Sequence, residues 1–298
     1  MELVLETNRL TKAYKKQIVV NGVSLSVAKG DIYGFVGKNG AGKTTFMRMI
    51  LGHIKPDSGT FTLLSDSDVR AARKRVGSLV ESPALYTNMS ALENVRLCCT
   101  ILGEDKKQSE AILETVGLAD TGKKKAGNFS LGMKQRLGIA LALVGNPEFL
   151  MLDEPINGLD PTGIVEIRNL LLELKNQGKT IFISSHILGE LEKIATRYGI
   201  ISKGKLVEEI TAAELAEKCS SRTVIQTDDS KKAAQILRKH FPELDSEIDN
   251  SSSIIVTGQI SNIGELTNIL FQNNITVAGI NSSDSSAENY FIKKMEEG

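Results

Sequence analysis

Gly37-Lys38-Asn39-Gly40-Ala41-Gly42-Lys43-Thr44, continued by Thr45, spells G-x-x-x-x-G-K-[ST] without a mismatch. The glycines let successive backbone N–H groups wrap phosphate oxygens. Lys43 can reach the β- and γ-phosphates, and the Thr44 hydroxyl can ligate Mg²⁺. A plain glycine turn before a helix would share the glycines. Here an apolar run, DIYGFV, comes before and KTTFMRMILGHI follows. That is the strand, loop and helix order a phosphate loop requires.

Further residues could complete such a site. Asp153 closes the apolar run FLML, where a carboxylate can hold a Mg²⁺ shell. Glu154 comes next and could polarise an attacking water. Alone, the two acids read better as a solvated strand end; the loop at 37–44 turns the balance to the chemical reading. His186 ends TIFISSH, at the edge where parallel α/β sheets bind ligands. It could donate to a γ-phosphate oxygen, or be structural. Tyr14, in KAYKKQ, could stack on adenine, worth ~1–3 kcal/mol, or pack at a strand edge.

A second, weaker phosphate signal lies in NFSLGMKQR, residues 128–136. Ser130 and Gly132 stand where the helix of LGIALALVG should begin. A helix N-terminus is a ready anion site. An ordinary N-cap serine is compatible with the same residues.

The elements that must position these residues are legible in outline. Residues 1–36 alternate short β-type runs with turns. Residues 85–145 are mostly helical, with SALENVRLCCTIL and KQSEAILETVGLAD as amphipathic candidates. In DPTGIVEIRNLLLELKNQGKTIFISSH, Asp160 caps a helix, Pro161 suits its first turn and Gly178 stops it before a strand. The repetition predicts a largely parallel α/β sheet. After about residue 215 the chain is richer in Ser, Asn and Asp. It reads strand 223–227, helix 230–240, one or two strands over 245–258, helix 261–273, strand 275–280 and a helix from about 286. That order suits a small ferredoxin-like α+β unit.

Composition narrows the classes. The 298 residues are 41% hydrophobic and 24% charged, ordinary for a soluble globular protein. Lys+Arg and Asp+Glu are both 36, so the net charge is zero and a nucleic-acid partner is disfavoured. Three cysteines, Cys98, Cys99 and Cys219, show no metal spacing and fit a reduced, cytosolic chain. The N-terminus lacks the pattern of a signal peptide, and no apolar run approaches the ~20 residues that span a bilayer. Work at a membrane would go through a partner.

With GKNGAGKTT, the stretch around Glu81, FSLGMKQR, FLMLDEP, NGLD and SSH in this order, the chain resembles the nucleotide-binding subunit of an ABC transporter over about its first 215 residues. The resemblance implies a P-loop NTPase fold with a helical subdomain at about 82–146, within an ATP-binding domain at 1–218, followed by a C-terminal accessory domain at 219–298. It implies ATP and Mg²⁺ as ligands, and two copies paired head to tail. Each ATP would lie between one copy's phosphate loop and the other's Ser130 and Gly132. Asp160 is implied in communication across the dimer, and a separate transmembrane permease as the partner at the cytoplasmic face of the membrane.

Two departures accompany the resemblance. The family's Leu-Ser-Gly-Gly-Gln reads Phe129-Ser130-Leu131-Gly132-Met133, and its usual Gln is Glu81. An ionised carboxylate accepts hydrogen bonds but cannot donate them. Glu81 could still approach Mg²⁺ or its water, adding negative charge beside the phosphates. Both features resemble the branch that serves bacitracin-resistance and lantibiotic-immunity exporters. There the region near 81–95 would dock a coupling helix of the permease. Rival classes are a non-transport ABC ATPase on ribosomes or DNA and a low-turnover regulatory module. The first is disfavoured by the single phosphate loop, the lack of long coiled coils and the zero net charge. Glu81 and Leu131 keep the second open.

Overall fold

Unbroken apolar runs become the middle of a sheet because both of its faces are covered. IYGFV, FLMLD and TIFISS are buried at every position. The computed structural model describes residues 2–219, 222–242, 244–258, 260, 262–283 and 286–297. The chain divides into two units, Met1–Ala212 with Phe291–Gly298, and Ala213–Tyr290.

The first unit begins with β1 (Leu3–Tyr14), β2 (Gln17–Val23), β3 (Ser26–Ala28) and β4 (Ile32–Val36), then α1 (Lys43–Leu51), β5 (Ser58–Leu63), α2 (Val69–Arg73) and β6 (Val76–Leu79). Helices α3 (Ala91–Leu102), α4 (Gln108–Thr115) and α5 (Leu131–Leu143) follow. Then come β7 (Phe149–Asp153), α6 (Pro161–Asn176), β8 (Thr180–Ser185), α7 (Leu188–Leu191), β9 (Arg197–Ser202) and β10 (Lys205–Thr211). The main sheet runs β10-β9-β4-β8-β7-β6, parallel except for β10. A separate antiparallel sheet pairs β1 with β2, β3 and β5.

Register decides what meets at the sheet's edge. Val36 is opposite Ser185, and Asp153 is opposite Ser184. The C-terminal ends of β4, β7 and β8 therefore open on one rim, where parallel sheets place ligands. Helix α1 is fixed over that rim by Phe46, whose ring centroid lies 5.1 Å from Phe35 and 5.9 Å from Phe182. Phe35, Phe46 and Phe182 are all fully buried. Such aromatic contacts add to the burial of the rings themselves.

The helical part has clear start signals. Ser90 Oγ accepts from Glu93 N at 3.2 Å, and Glu93 Oε2 accepts from Ser90 N at 2.6 Å, a capping box at α3. Lys125 Nζ lies 3.0 Å from the same carboxylate. The Ser90 backbone donor, helped by Lys125, pulls the Glu93 carboxyl down to about 2. A depressed carboxyl stabilises the fold above its unfolded value, and that contribution is lost as pH falls from there toward about 2. Ser90→Ala should lower the unfolding free energy by about 1 kcal/mol in urea melts. Gly77 lets α5 approach β6, because a Cβ there would fall 1.9 Å from the Ala142 carbonyl oxygen.

The second unit opens with α8 (Ala212–Lys218) and continues through β11 (Arg222–Thr227), α9 (Ser230–His240), β12 (Asp245–Asn250), β13 (Ser253–Thr257), α10 (Ile263–Gln272) and β14 (Val277–Ser283). Its antiparallel sheet runs β12-β13-β11-β14, the ferredoxin-like order. Ala233, Leu237, Leu266 and Leu270 from its helices bury Ile225, Ile254 and Val256. The terminal helix α11 (Ala287–Glu297) changes allegiance at Phe291. The Phe291 ring sits 5.2 Å from Tyr198, and Ser202 Oγ donates to the Met295 carbonyl at 2.7 Å. Hence 291–298 groups with the first unit, and the division falls at 212/213, a few residues before the expected domain boundary at 218/219.

Candidate nucleotide site

Gly42 stands at the N-cap of α1 with φ 108, a left-handed conformation that glycine adopts without strain. No side chain caps this helix and no acid sits in its first turn. Its first N–H groups therefore point at the rim with their partial positive charge, as an anion would require. Lys43 is 5% exposed and turns back over the loop, donating to Gly37 O at 2.6 Å and Lys38 O at 3.4 Å. Lys38, Asn39 and Gly40 are exposed along the loop, and Ala41 is buried behind it. Thr45 continues α1.

Five predicted residues meet here. Thr44 Oγ1 donates to Asp153 Oδ2 at 2.8 Å, linking α1 to the end of β7. Lys43 Nζ lies 3.1 Å from Glu154 Oε1, and His186 Nδ1 lies 2.8 Å from Glu154 Oε2. Glu154 takes a left-handed φ of 49, and its Oε1 is buried yet accepts no hydrogen bond. It carries instead the ion pair with Lys43, and a carboxylate released from that pair can orient a water and take its proton.

The donor set also fits Mg²⁺. Mg²⁺ takes oxygen ligands at about 2.0–2.1 Å in an octahedron, which puts adjacent ligands roughly 2.9 Å apart. Thr44 Oγ1 and Asp153 Oδ2 are 2.8 Å apart. Among the described residues no group of three or more His, Cys, Asp and Glu side chains forms a metal cluster. A site of this kind draws instead on a hydroxyl, one carboxylate and phosphate oxygens.

Ser184 was not singled out from the sequence. It is fully buried, its Oγ donates to Asp153 Oδ1 and accepts from Glu154 N at 3.0 Å. One hydroxyl thus fixes both acids. The signal was present: two serines end an otherwise apolar buried strand. Ser184→Ala should cost about 1.5–3 kcal/mol of stability in urea denaturation, the range for a hydrogen bond to a charged group.

Among the described residues, the other predicted residues, Ser130, Gly132, Asp160, Tyr14 and Glu81, make no hydrogen bond or ion pair with those five. Ser130 N-caps α5, accepting from Met133 N at 3.2 Å, and Asp160 N-caps α6, accepting from Gly163 N at 3.0 Å. Among the described residues, no hydrogen bond or ion pair joins Ser130 or Gly132 to the phosphate loop. A Cβ on Gly132 would meet only Leu159, at 3.9 Å, so nothing within the protomer fills the space there. Leu131, beside it, is 47% exposed. Tyr14 is half-exposed at the end of β1, with Lys12 Nζ 5.7 Å from its ring centroid. Glu81, expected near Mg²⁺ or its water, pairs with Arg48 Nη2 at 2.6 Å.

The ABC transporter family profile matches residues 20–157. Over 298 aligned residues the chain is 44% identical to the bacitracin transport ATP-binding protein BcrA of Bacillus licheniformis, covering 98% of this chain and 97% of that protein. The chain belongs to the ABC transporter family. It is also 42% identical over 206 residues to the lantibiotic transport ATP-binding protein SrtF of Streptococcus pyogenes, covering 69% of this chain and 90% of that one. Among solved structures, the dimeric post-hydrolysis state of the ATP-binding cassette MJ0796 bound to ADP and Pi superposes with a TM-score of 0.62 at 25% identity, over 70% of this chain and 98% of that one. The protein is therefore an ATP-binding, ATP-hydrolysing ABC transporter subunit with a P-loop fold, a helical subdomain and a C-terminal α+β unit. Among the described residues no helix is long and apolar enough to cross a membrane.

Proposed function

We propose that two copies of this ABC subunit close on two ATP molecules and drive a separate membrane permease that exports a peptide antibiotic of the bacitracin or lantibiotic kind. The observation that carries the reading is the 44% identity to a bacitracin transport protein, which spans 98% of the chain and takes in the second unit. The subunit would sit at the cytoplasmic face of the membrane, held there by the permease. The region near 81–95 would dock a coupling helix of the permease.

In this reading Lys43 and the amides of 37–44 hold the β- and γ-phosphates, and Tyr14 stacks on the adenine. Thr44 and the Asp153 shell would hold Mg²⁺, which would supply electrostatic stabilisation of the charge developing on the phosphates. Glu154 orients the attacking water once Lys43 turns to the phosphates, and His186 steadies Glu154 and faces the γ-phosphate. Ser130 and Gly132 belong to the neighbouring copy's site, which accords with their distance in bonding from the cluster and the open space at Gly132. The dimeric cassette holding ADP and Pi supports the pairing of two copies. Catalysis is then mostly positioning and electrostatics.

The test joins two measurements. The tagged subunit is expected to co-purify with a polytopic membrane protein, and cells lacking the subunit should become more sensitive to bacitracin or a lantibiotic. Unchanged sensitivity to both classes would refute the cargo, and recovery without any polytopic partner would refute the coupling to transport.

A further inference from the structure

Arg48 lies four residues after Thr44 on α1, so the two side chains leave one helix face a turn apart. Its Nη2 donates to Glu81 Oε1 at 2.6 Å. Glu81 follows the end of β6 at Leu79, beside β7, which carries Asp153. Its φ of 61 is a left-handed conformation that non-glycine residues keep only when their surroundings hold them. Beyond it, the loop is tied to α3: Tyr86 N donates to Asn94 Oδ1 at 2.9 Å, and Asn94 Nδ2 donates to Tyr86 O at 3.1 Å. A bonded path thus runs from the helix that opens at the phosphate loop, through Arg48 and Glu81, to the helical subdomain.

The pair is partly exposed, at 36% for Arg48 and 58% for Glu81, so it adds little to fold stability. Its consequence is local charge. A free carboxylate at this edge would repel the same polyphosphate that Lys43 attracts. We infer that Arg48 is a positioning residue for the nucleotide site: it cancels the charge of Glu81 and fixes the loop after β6, so that a carboxylate serves where its negative charge would otherwise weaken Mg-ATP binding. The inference rests on the reading of residues 37–44 as the nucleotide site.

The test is a double-substitution cycle, read as affinity for a fluorescent ATP analogue with Mg²⁺. R48Q should weaken binding about three- to ten-fold at low salt, and less at high salt, because the exposed charge it uncovers is screened. Adding E81Q to R48Q should recover most of that loss, since the uncompensated charge is gone. If R48Q binds like wild type, the inference fails. It also fails if the double variant stays as weak as R48Q, for Arg48 would then act on the nucleotide directly. A K43A control separates the two levels. K43A binding at full strength would overturn the phosphate-loop reading itself, whereas loss in K43A with no recovery in the double variant would overturn only the role of Arg48.

Discussion

Glu154→Gln should lower steady-state phosphate release by roughly 10²–10⁴-fold, the usual weight of a general base, while Mg-ATP still binds. The reasoning starts from geometry. Glu154 is fixed three ways: its N–H donates to Ser184 Oγ, its Oε2 lies 2.8 Å from His186 Nδ1, and its Oε1 faces Lys43. Glutamine has the same shape and removes only the charge and the basicity. The amide oxygen can keep one of these contacts, but it cannot accept the proton of an attacking water. The variant should therefore accumulate as a nucleotide-bound dimer, visible as a shift to twice the mass in light scattering when Mg-ATP is added. Turnover that persists near the wild-type rate would remove Glu154 from the role of base and leave it as a strand-end acid.

The chemistry of the site was legible where it is contiguous in the chain. Residues 37–44 carry their own context, because the strand, loop and helix are local. Asp153 and Glu154 were legible because two acids after four apolar residues mark the end of a buried strand. Asp160, Pro161 and Gly178 announced α6, since caps are local too. What could not be read was whatever depends on register between distant strands. Ser184 meets Asp153 only because β7 and β8 pair with those two residues opposite, a choice made by packing. The same holds for β1, whose pairing with β5 joins Leu5 to Leu63 across the chain. Arg48 meets Glu81 through the fold of β6 under α1, and neither residue type says so on its own. The return of Phe291 to Tyr198 was hidden for the same reason: an amphipathic helix shows that it packs, not against what.

The two departures from the usual family pattern acquire physical content from the structure. At the signature loop, the N-cap serine and the glycine survive, and the residue inserted between them, Leu131, is half-exposed rather than packed into the core. Backbone donors at that helix start are thus unaffected by the change. At Glu81, the added negative charge comes with a cation 2.6 Å away. Neither departure alters the contacts among Lys43, Thr44, Asp153, Glu154 and His186.

Lys43→Ala should weaken Mg-ATP binding by more than about 100-fold. The ammonium is 5% exposed and is the one Lys or Arg group within ion-pair distance of Glu154 among the described residues. Its donors now go to the Gly37 and Lys38 carbonyls, so a triphosphate can take them over without drawing a charge out of bulk water. Hydrogen bonds to charged groups contribute about 1.5–3 kcal/mol each, so two such bonds to the β- and γ-oxygens amount to about 3–6 kcal/mol. At about 1.4 kcal/mol per factor of ten, that exceeds a hundred-fold even at its lower end. The same substitution leaves Glu154 beside the phosphates without its balancing charge, which acts in the same direction. Isothermal titration with Mg-ATP measures the loss directly. A Lys43→Ala variant that binds at wild-type strength would mean that the loop at 37–44 turns the chain without holding a nucleotide.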